Sequence, residues 1–243
     1  MNRLPPETLS LIFSYVFAPM SMAAATGFDI PFPFRQWEAV THVCRYWREA
    51  AIASPTIWSK IETSQPNLIQ LFLSWSGAHP LEFHTIPLLK PPEDPPSFLA
   101  LLPHLNRLKT LSVQMSQRAY DLLAEATVSS LEWLWVCAPL KDSTHPTDWA
   151  PPLFMGTTQA PRLQHPCLSR GPLMSPFKFG NLSHLCFDRI PSLGSKLPAV
   201  LEMLACNPNL QELLLSHKGG TATSTYNRSL NLTSPCTPSG SSV

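Results

Sequence analysis

The sequence predicts an α+β protein with a small helical unit first, an irregular α/β solenoid behind it and a disordered C-terminal tail. Three observations carry that expectation. Apolar residues recur at helical spacing in the N-terminal quarter, at Leu9, Ile12, Phe13 and Val16 and again from Trp37 to Ala51. Five short segments of the form LxxLxL, with substitutions, follow one another from Leu108 to Leu215. After His217 apolar residues thin out, and Ser, Thr, Gly and Asn take over, a composition too polar to bury a core. The organisation expected is a helical domain over residues 1–62, a connecting helix, strand and Pro-rich loop over 63–97, a repeat region over 98–216 and a tail over 217–243.

The first helix begins in MNRLPPETLSLIF. Pro5 and Pro6 would break a helix interior but suit its first turn, where backbone N–H groups have no intrahelical partner. Glu7 complements the positive end of the helix dipole. Leu9, Ile12, Phe13 and Val16 make one face. No leader is read before this helix. A loop from Ala18 to Arg35 separates it from WEAVTHVCRYWREAAIASPTIW. There Trp37, Val40, Val43, Cys44, Trp47 and Ala51 form an apolar stripe of one long helix, with Glu38, Arg45, Arg48 and Glu49 opposite. Ser54 and Pro55 end it, and Ser54 is placed to cap a following turn that returns Trp58 to the same core. A unit of this size sits near the lower limit for independent stability, so a partner over one face would help it. For Trp47 and Trp58, core and partner anchor are both open at this stage, with core favoured.

A further helix is expected at Asn67 to Ser76, with Leu68, Leu71, Phe72 and Trp75 at helical spacing and Gly77 at its C-cap. LEFHTI alternates as a strand, and Lys90 to Ser97 is a proline-rich loop. The repeats are LKTLSV at Leu108, LEWLWV at Leu131, LQHPCL at Leu163, LSHLCF at Leu182 and LQELLL at Leu210, stepping by 23, 32, 19 and 28 residues. Helical or turn segments precede several of them. A helix or turn leading into a short strand at roughly 20–29 residues is the pattern of leucine-rich repeats. Stacking such units buries their leucine faces together. Pro166 stands where a leucine is expected and cannot donate to a ladder, so the third repeat is expected to be the weakest.

Composition excludes several functions. Charged residues are 14% of the chain and the net charge is +1, so no basic excess directs it to nucleic acid or a lipid surface. The weakly polar run Tyr15 to Ala25 is too short to span a bilayer and contains Pro19. The 27 prolines, roughly twice the usual share, cut the chain into short elements. Six widely spaced cysteines without a CxxC pair indicate thiols rather than a disulfide framework or zinc site, in a cytoplasmic or nuclear protein. His42 and Cys44 would point about 200° apart on one helix. His104, His165 and His184 lie in or beside repeats at offsets read as unrelated. No metal site, cofactor, phosphate loop, nucleophile elbow or carboxylate pair is expected, and hence no enzyme.

LPPETLSLIF and VCRYWREAAIASPTIW together resemble the F-box, in particular the F-box-like domains of basidiomycete (mushroom-forming) fungi, with their LPxE…IF start and VCRxWR…SPxLW end. NLIQLFLSWSGAHPLEF, LLPHLNRLKTL and NPNLQELLL resemble the continuation in the same group, so the resemblance spans about residues 3–216. The loop from Ala18 to Arg35 is longer than a minimal F-box has. The resemblance implies a substrate-recognition adaptor of a Skp/cullin/F-box ubiquitin ligase. The F-box would dock on a Skp-type adaptor, and through it a cullin, while the repeats hold a protein substrate. By position it implies docking through Leu4, Pro5, Leu9, Ile12, Phe13, Val43, Cys44, Trp47 and Trp58. Such a protein has no catalytic residues of its own. The alternative is a leucine-rich-repeat scaffold outside any ligase, or a truncated paralogue without function.

Overall fold

The computed structural model describes residues 4–16, 36–62, 66–85, 96–114, 119, 122–123, 125–137, 159–169, 181–190, 198, 201–202 and 204–217. Among the described residues four helices come first: α1 (Pro6–Val16), α2 (Gln36–His42), α3 (Arg45–Ile52) and α4 (Pro55–Trp58). They lead through β1 (Lys60–Glu62), α5 (Pro66–Trp75), β2 (Leu81–His84), α6 (Pro96–Leu101) and a 3-10 turn (Leu102–Arg107) into β3 (Leu108–Gln114). Four strands complete the sheet: β4 (Trp133–Cys137), β5 (His165–Ser169), β6 (His184–Ile190) and β7 (Glu212–His217). All seven strands form one open parallel sheet in chain order, each beside its predecessor.

The expected second helix is two helices. Cys44 adopts φ −162° and ψ 170°, so the chain is extended between α2 and α3 and the apolar stripe is interrupted at Val43 and Cys44. Val40, Thr41 and Val43 are β-branched and weak helix formers, so this stretch holds a helix poorly. Arg48 Nε donates to the Thr41 carbonyl oxygen at 2.9 Å and satisfies a terminal acceptor of α2. Ser54 does occupy the N-cap of α4 with Pro55 after it, but its hydroxyl makes no cap bond. It donates back to the Ala50 carbonyl oxygen at 2.7 Å, a nearer acceptor across the α3–α4 corner.

α5 starts one residue before the expected helix and ends with Gly77 at φ +55°, a conformation that an L side chain resists. Its buried face is Ile69 and Leu73 with Ser76, while Leu71 is exposed. All five repeat segments lie on strands β3 to β7. Val113, Val136, Leu168, Phe187 and Leu215 stand opposite one another along an inner row. Ile61, Phe83, Leu111, Leu134 and Pro166 make a second row. The leading leucines Leu108, Leu131, Leu163 and Leu182 are buried beneath, with Phe98, Leu101 and Leu105 packed against them. Each such side chain withdrawn from water is worth about 1.5–3 kcal/mol before entropy is counted.

Pro166 withholds a donor, yet β5 pairs with β4 along its length, from Trp133 opposite His165 to Cys137 opposite Ser169. With β6 it pairs, among the described residues, from Cys167 to Ser169. Residues 63–65, 86–95 and 218–243 lie outside the described residues, as do the loop 17–35 and the side chains of Val16 and Trp37, and of the expected Pro-rich loop Lys90 to Ser97 only Pro96 and Ser97 are described, where they open α6 instead. Among the described residues no helix is long and apolar enough to cross a membrane.

Candidate docking surface

The helical unit has its own core: Leu9, Phe13, Val40, Ala50, Ala51, Ile57 and Trp58 are buried together. Leu9 and Phe13, one turn apart on α1, are fully buried. The Phe13 ring meets Trp47 edge-on with centroids 5.5 Å apart. Tyr46 Oη donates to the Leu4 carbonyl oxygen at 2.6 Å, and the Ser10 and Ser54 hydroxyls touch. These three contacts fasten both ends of α1 to α3 and α4. Trp58 is enclosed: its Nε1 donates to the Ala51 carbonyl oxygen at 2.8 Å, and its ring packs on Trp75 at 4.6 Å and Phe72 at 5.2 Å.

This packing sorts the nine residues singled out from the resemblance. Leu9, Phe13 and Trp58 face inward and offer no open surface; they shape the unit from within. Trp47 is half-buried against Phe13. Leu4, Pro5, Ile12, Val43 and Cys44 face outward. Ile12 therefore leaves the face it shares by spacing with Leu9 and Phe13, because only the narrower stripe of Leu9 and Phe13 meets α3. Val43 and Cys44 face outward because the extended break carries them off the helix face.

Two further residues join them. Leu11 and Tyr15, one turn apart on α1 and flanking Ile12, are 56% and 74% exposed, and Leu4 and Val43 are 48% and 57% exposed. The signal was present as a second i, i+4 pair on α1, hidden behind the stronger Leu9–Phe13 pair. A small unit that leaves five large apolar side chains partly in water forgoes part of the burial free energy that each could contribute. An apolar cluster of this kind marks an interaction surface.

A second surface is the sheet face opposite the leucines. The third residue of each repeat stands outward there: Thr110, Trp133 and His165 are in register, as are His184 and Glu212. Trp133 stacks on His165 with centroids 3.6 Å apart and planes at 11°, and His165 lies 4.4 Å from His184. His184 Nε2 approaches Glu212 at 3.4 Å. The His165 and His184 offsets are thus the same position of consecutive repeats, which corrects their reading as unrelated; the parallel register brings equal offsets side by side. His104 stands apart on the 3-10 turn, near Arg107. Burial first, then the neighbouring His184, holds His165 below the ordinary imidazole range, while Glu132 opposes. On β2, burial and then the Lys60 cation push His84 down to about 4. Neither surface contains a convergent set of three His, Cys, Asp or Glu among the described residues.

No curated protein and no solved structure matches the chain. The family model described as F-box-like matches residues 1–64, which hold α1 to α4 and β1. The chain therefore carries an F-box-like domain in its N-terminal quarter.

Proposed function

We propose that this chain is the substrate-recognition adaptor of a Skp/cullin/F-box ubiquitin ligase, of the basidiomycete F-box-like kind. The single observation that carries the reading is the coincidence of the F-box-like match over residues 1–64 with an uncovered apolar surface at Leu4, Leu11, Ile12, Tyr15 and Val43. A Skp-type adaptor covers that surface and links the chain to a cullin. The open parallel sheet is read as an irregular leucine-rich-repeat solenoid, supported by the five LxxLxL strands in chain order. Its outward row, from Thr110 to Glu212, takes a protein substrate. The chain performs no chemistry itself; it raises the concentration of bound substrate near the charged conjugating enzyme.

The test is capture of a purified Skp-type adaptor by the full chain. The informative variant is Leu11→Asp with Ile12→Asp, since both side chains are exposed and neither belongs to the buried core of the helical unit. Changing Phe13 would instead break the core. Loss of capture with unchanged helicity supports the reading. Capture unaffected by the double variant, or absent from the wild-type chain, favours a repeat scaffold outside the ligase.

A further inference from the structure

The core of the sheet is closed at one edge and open at the other. At the β1 edge Ile61 is fully buried. At the β7 edge Leu210, Leu213 and Leu215 are only half-buried, whereas their counterparts one repeat earlier, Leu182, Leu185 and Phe187, are buried. Leu201, in the segment leading into β7, is 57% exposed. The outward face changes at the same edge. The fifth residue of each repeat stands outward, and in register that row reads Ser112, Trp135, Cys167, Cys186 and Leu214. Leu214 is the one aliphatic side chain among the third and fifth positions of the repeats. The backbone of β7 is also half used. Glu212 N donates to the Ser183 carbonyl oxygen at 3.1 Å. Successive residues of a strand turn their N–H and C=O groups to opposite sides. Glu212 and Leu214 therefore bond β6, while Leu213 and Leu215 point theirs to the side where the described residues place no strand. Edge strands are commonly guarded by charge, proline or a bulge. From Leu213 to Leu215 β7 has no such guard, and its register shift against β6 comes only after Leu215.

We infer that β7 pairs with β7 of a second copy of this chain, antiparallel about a twofold axis between the two copies of Leu214. The self-complementarity of the strand selects this occupant. In this register Leu213 of each chain lies opposite Leu215 of the other, and each such pair exchanges both backbone bonds that the edge otherwise leaves unused. The side chains of both residues face inward, so the two half-covered cores close on one another. Between these pairs Leu214 meets Leu214 of the second copy at a non-hydrogen-bonded position, where side chains come closest. That contact gives the exceptional outward leucine a partner. Glu212 falls opposite Ser216. Other registers fit worse. An axis between copies of Leu213 sets the Glu212 carboxylate against Leu214 twice, and one between copies of Leu215 sets Leu214 against Ser216. A shift by half a step would oppose inward to outward side chains. The interface is isologous and closes at two copies, joining both sheets into one. It lies on the sheet and does not depend on the adaptor reading of the helical unit.

The experiment uses the full chain under reducing conditions. Sedimentation equilibrium at increasing concentration is expected to reach twice the chain mass. Leu214→Arg sets two like charges against each other across the axis and is expected to return the mass to that of one chain. Its circular dichroism should stay unchanged, because the side chain lies outside the buried core. Leu214→Cys, mildly oxidised, is expected to give a disulfide joining position 214 of one copy to position 214 of the other, seen by mass spectrometry as a peptide linked to itself. Glu212→Cys is expected to give no such self-link. A single-chain mass at every concentration overturns the proposal, and is the result expected if residues 218–243 took the edge instead. So does a doubled mass that Leu214→Arg retains. Absence of the 214-to-214 link from Leu214→Cys overturns it as well. The link is read on a small, uncharged replacement, so it decides even if Leu214→Arg fails to fold.

Discussion

The helical unit and the sheet spend similar side chains differently. In the sheet the repeats turn all their leucines but Leu214 inward, and the other outward positions hold Thr, Ser, Trp, His, Cys and Glu. In the helical unit two residues of α1 suffice for its share of the core, and Leu11, Ile12 and Tyr15 stay outside. Apolar content alone therefore does not tell stability from recognition. The number of neighbours an element has does: a strand flanked on two sides and backed by helices buries one whole face, whereas a helix resting on a single corner buries only a stripe.

The sharpest way to break the contrast is Trp58→Ala. It removes the largest buried side chain of the helical unit and its bond to Ala51, and a loss of about 3–5 kcal/mol in denaturant titration is expected. Because Phe72 packs against both cores, the α5 end of the sheet should lose hydrogen-exchange protection in the same variant. Leu111→Ala probes the other side: about 2–5 kcal/mol is expected from the second row, with hydrogen exchange of α1 and α3 following the same transition if the two regions unfold together.

His84 gives a pH-dependent probe of the sheet. Its folded pKa, about 4, lies below the ordinary 6.5, so below pH 6.5 the unfolded chain takes up a proton that the folded chain refuses. The associated stability is complete above pH 6.5 and is lost as pH falls toward 4, by at most about 3 kcal/mol. Denaturant midpoints at stepped pH should fall in that window for the wild type and fall less for His84→Gln. Arg107 joins the 3-10 turn to the corner after α5 by donating to the His79 carbonyl oxygen at 2.8 and 3.1 Å and to Ser76 Oγ at 2.9 Å. Arg107→Ala should cost about 1–2 kcal/mol in thermal melts, because buried Ser76 loses a donor. The smallest effect on stability belongs to Leu11→Asp with Ile12→Asp, about 1 kcal/mol by calorimetry, since Leu11 is 56% exposed and Ile12, at 37%, loses only part of a side chain's packing. A larger loss would mean that these residues belong to the core after all.

The strands of the repeats were legible because LxxLxL states both which residues go in and how far apart the strands begin. Gly77 and the Pro5–Pro6 start were legible because each residue type has one favourable backbone use. The break at Cys44 was not, since an apolar stripe at helical spacing runs through it unchanged and only the backbone distinguishes one helix from two. β1 is three residues long and was not visible: Lys60 and Glu62 flank a single buried Ile61, and its pairing with β2 supplies what local sequence lacks. Leu4, Ile12 and Val43 were picked out only through the motif resemblance, and the packing leaves them exposed. Leu11 and Tyr15 were not, because periodicity reports which residues share a face and not which face is covered. The outward His and Cys rows were written in the repeats but needed the register to become neighbours.

Only Ser59 separates Trp58, the last residue of α4, from Lys60, the first residue of β1. That junction has the mechanics of a welded joint. A Gly/Ser tether lets two bound partners search a volume set by its length, and their mutual concentration falls as it grows. Here the distance and bearing between anything held on α1 and anything held on the sheet are set by one linking residue, by Trp58 packed on Trp75 and by the shared side chain of Phe72. Which part of a bound partner is presented is thus decided by the angle of the joint, and inserting even a short flexible segment after Trp58 would change that angle while leaving both surfaces intact.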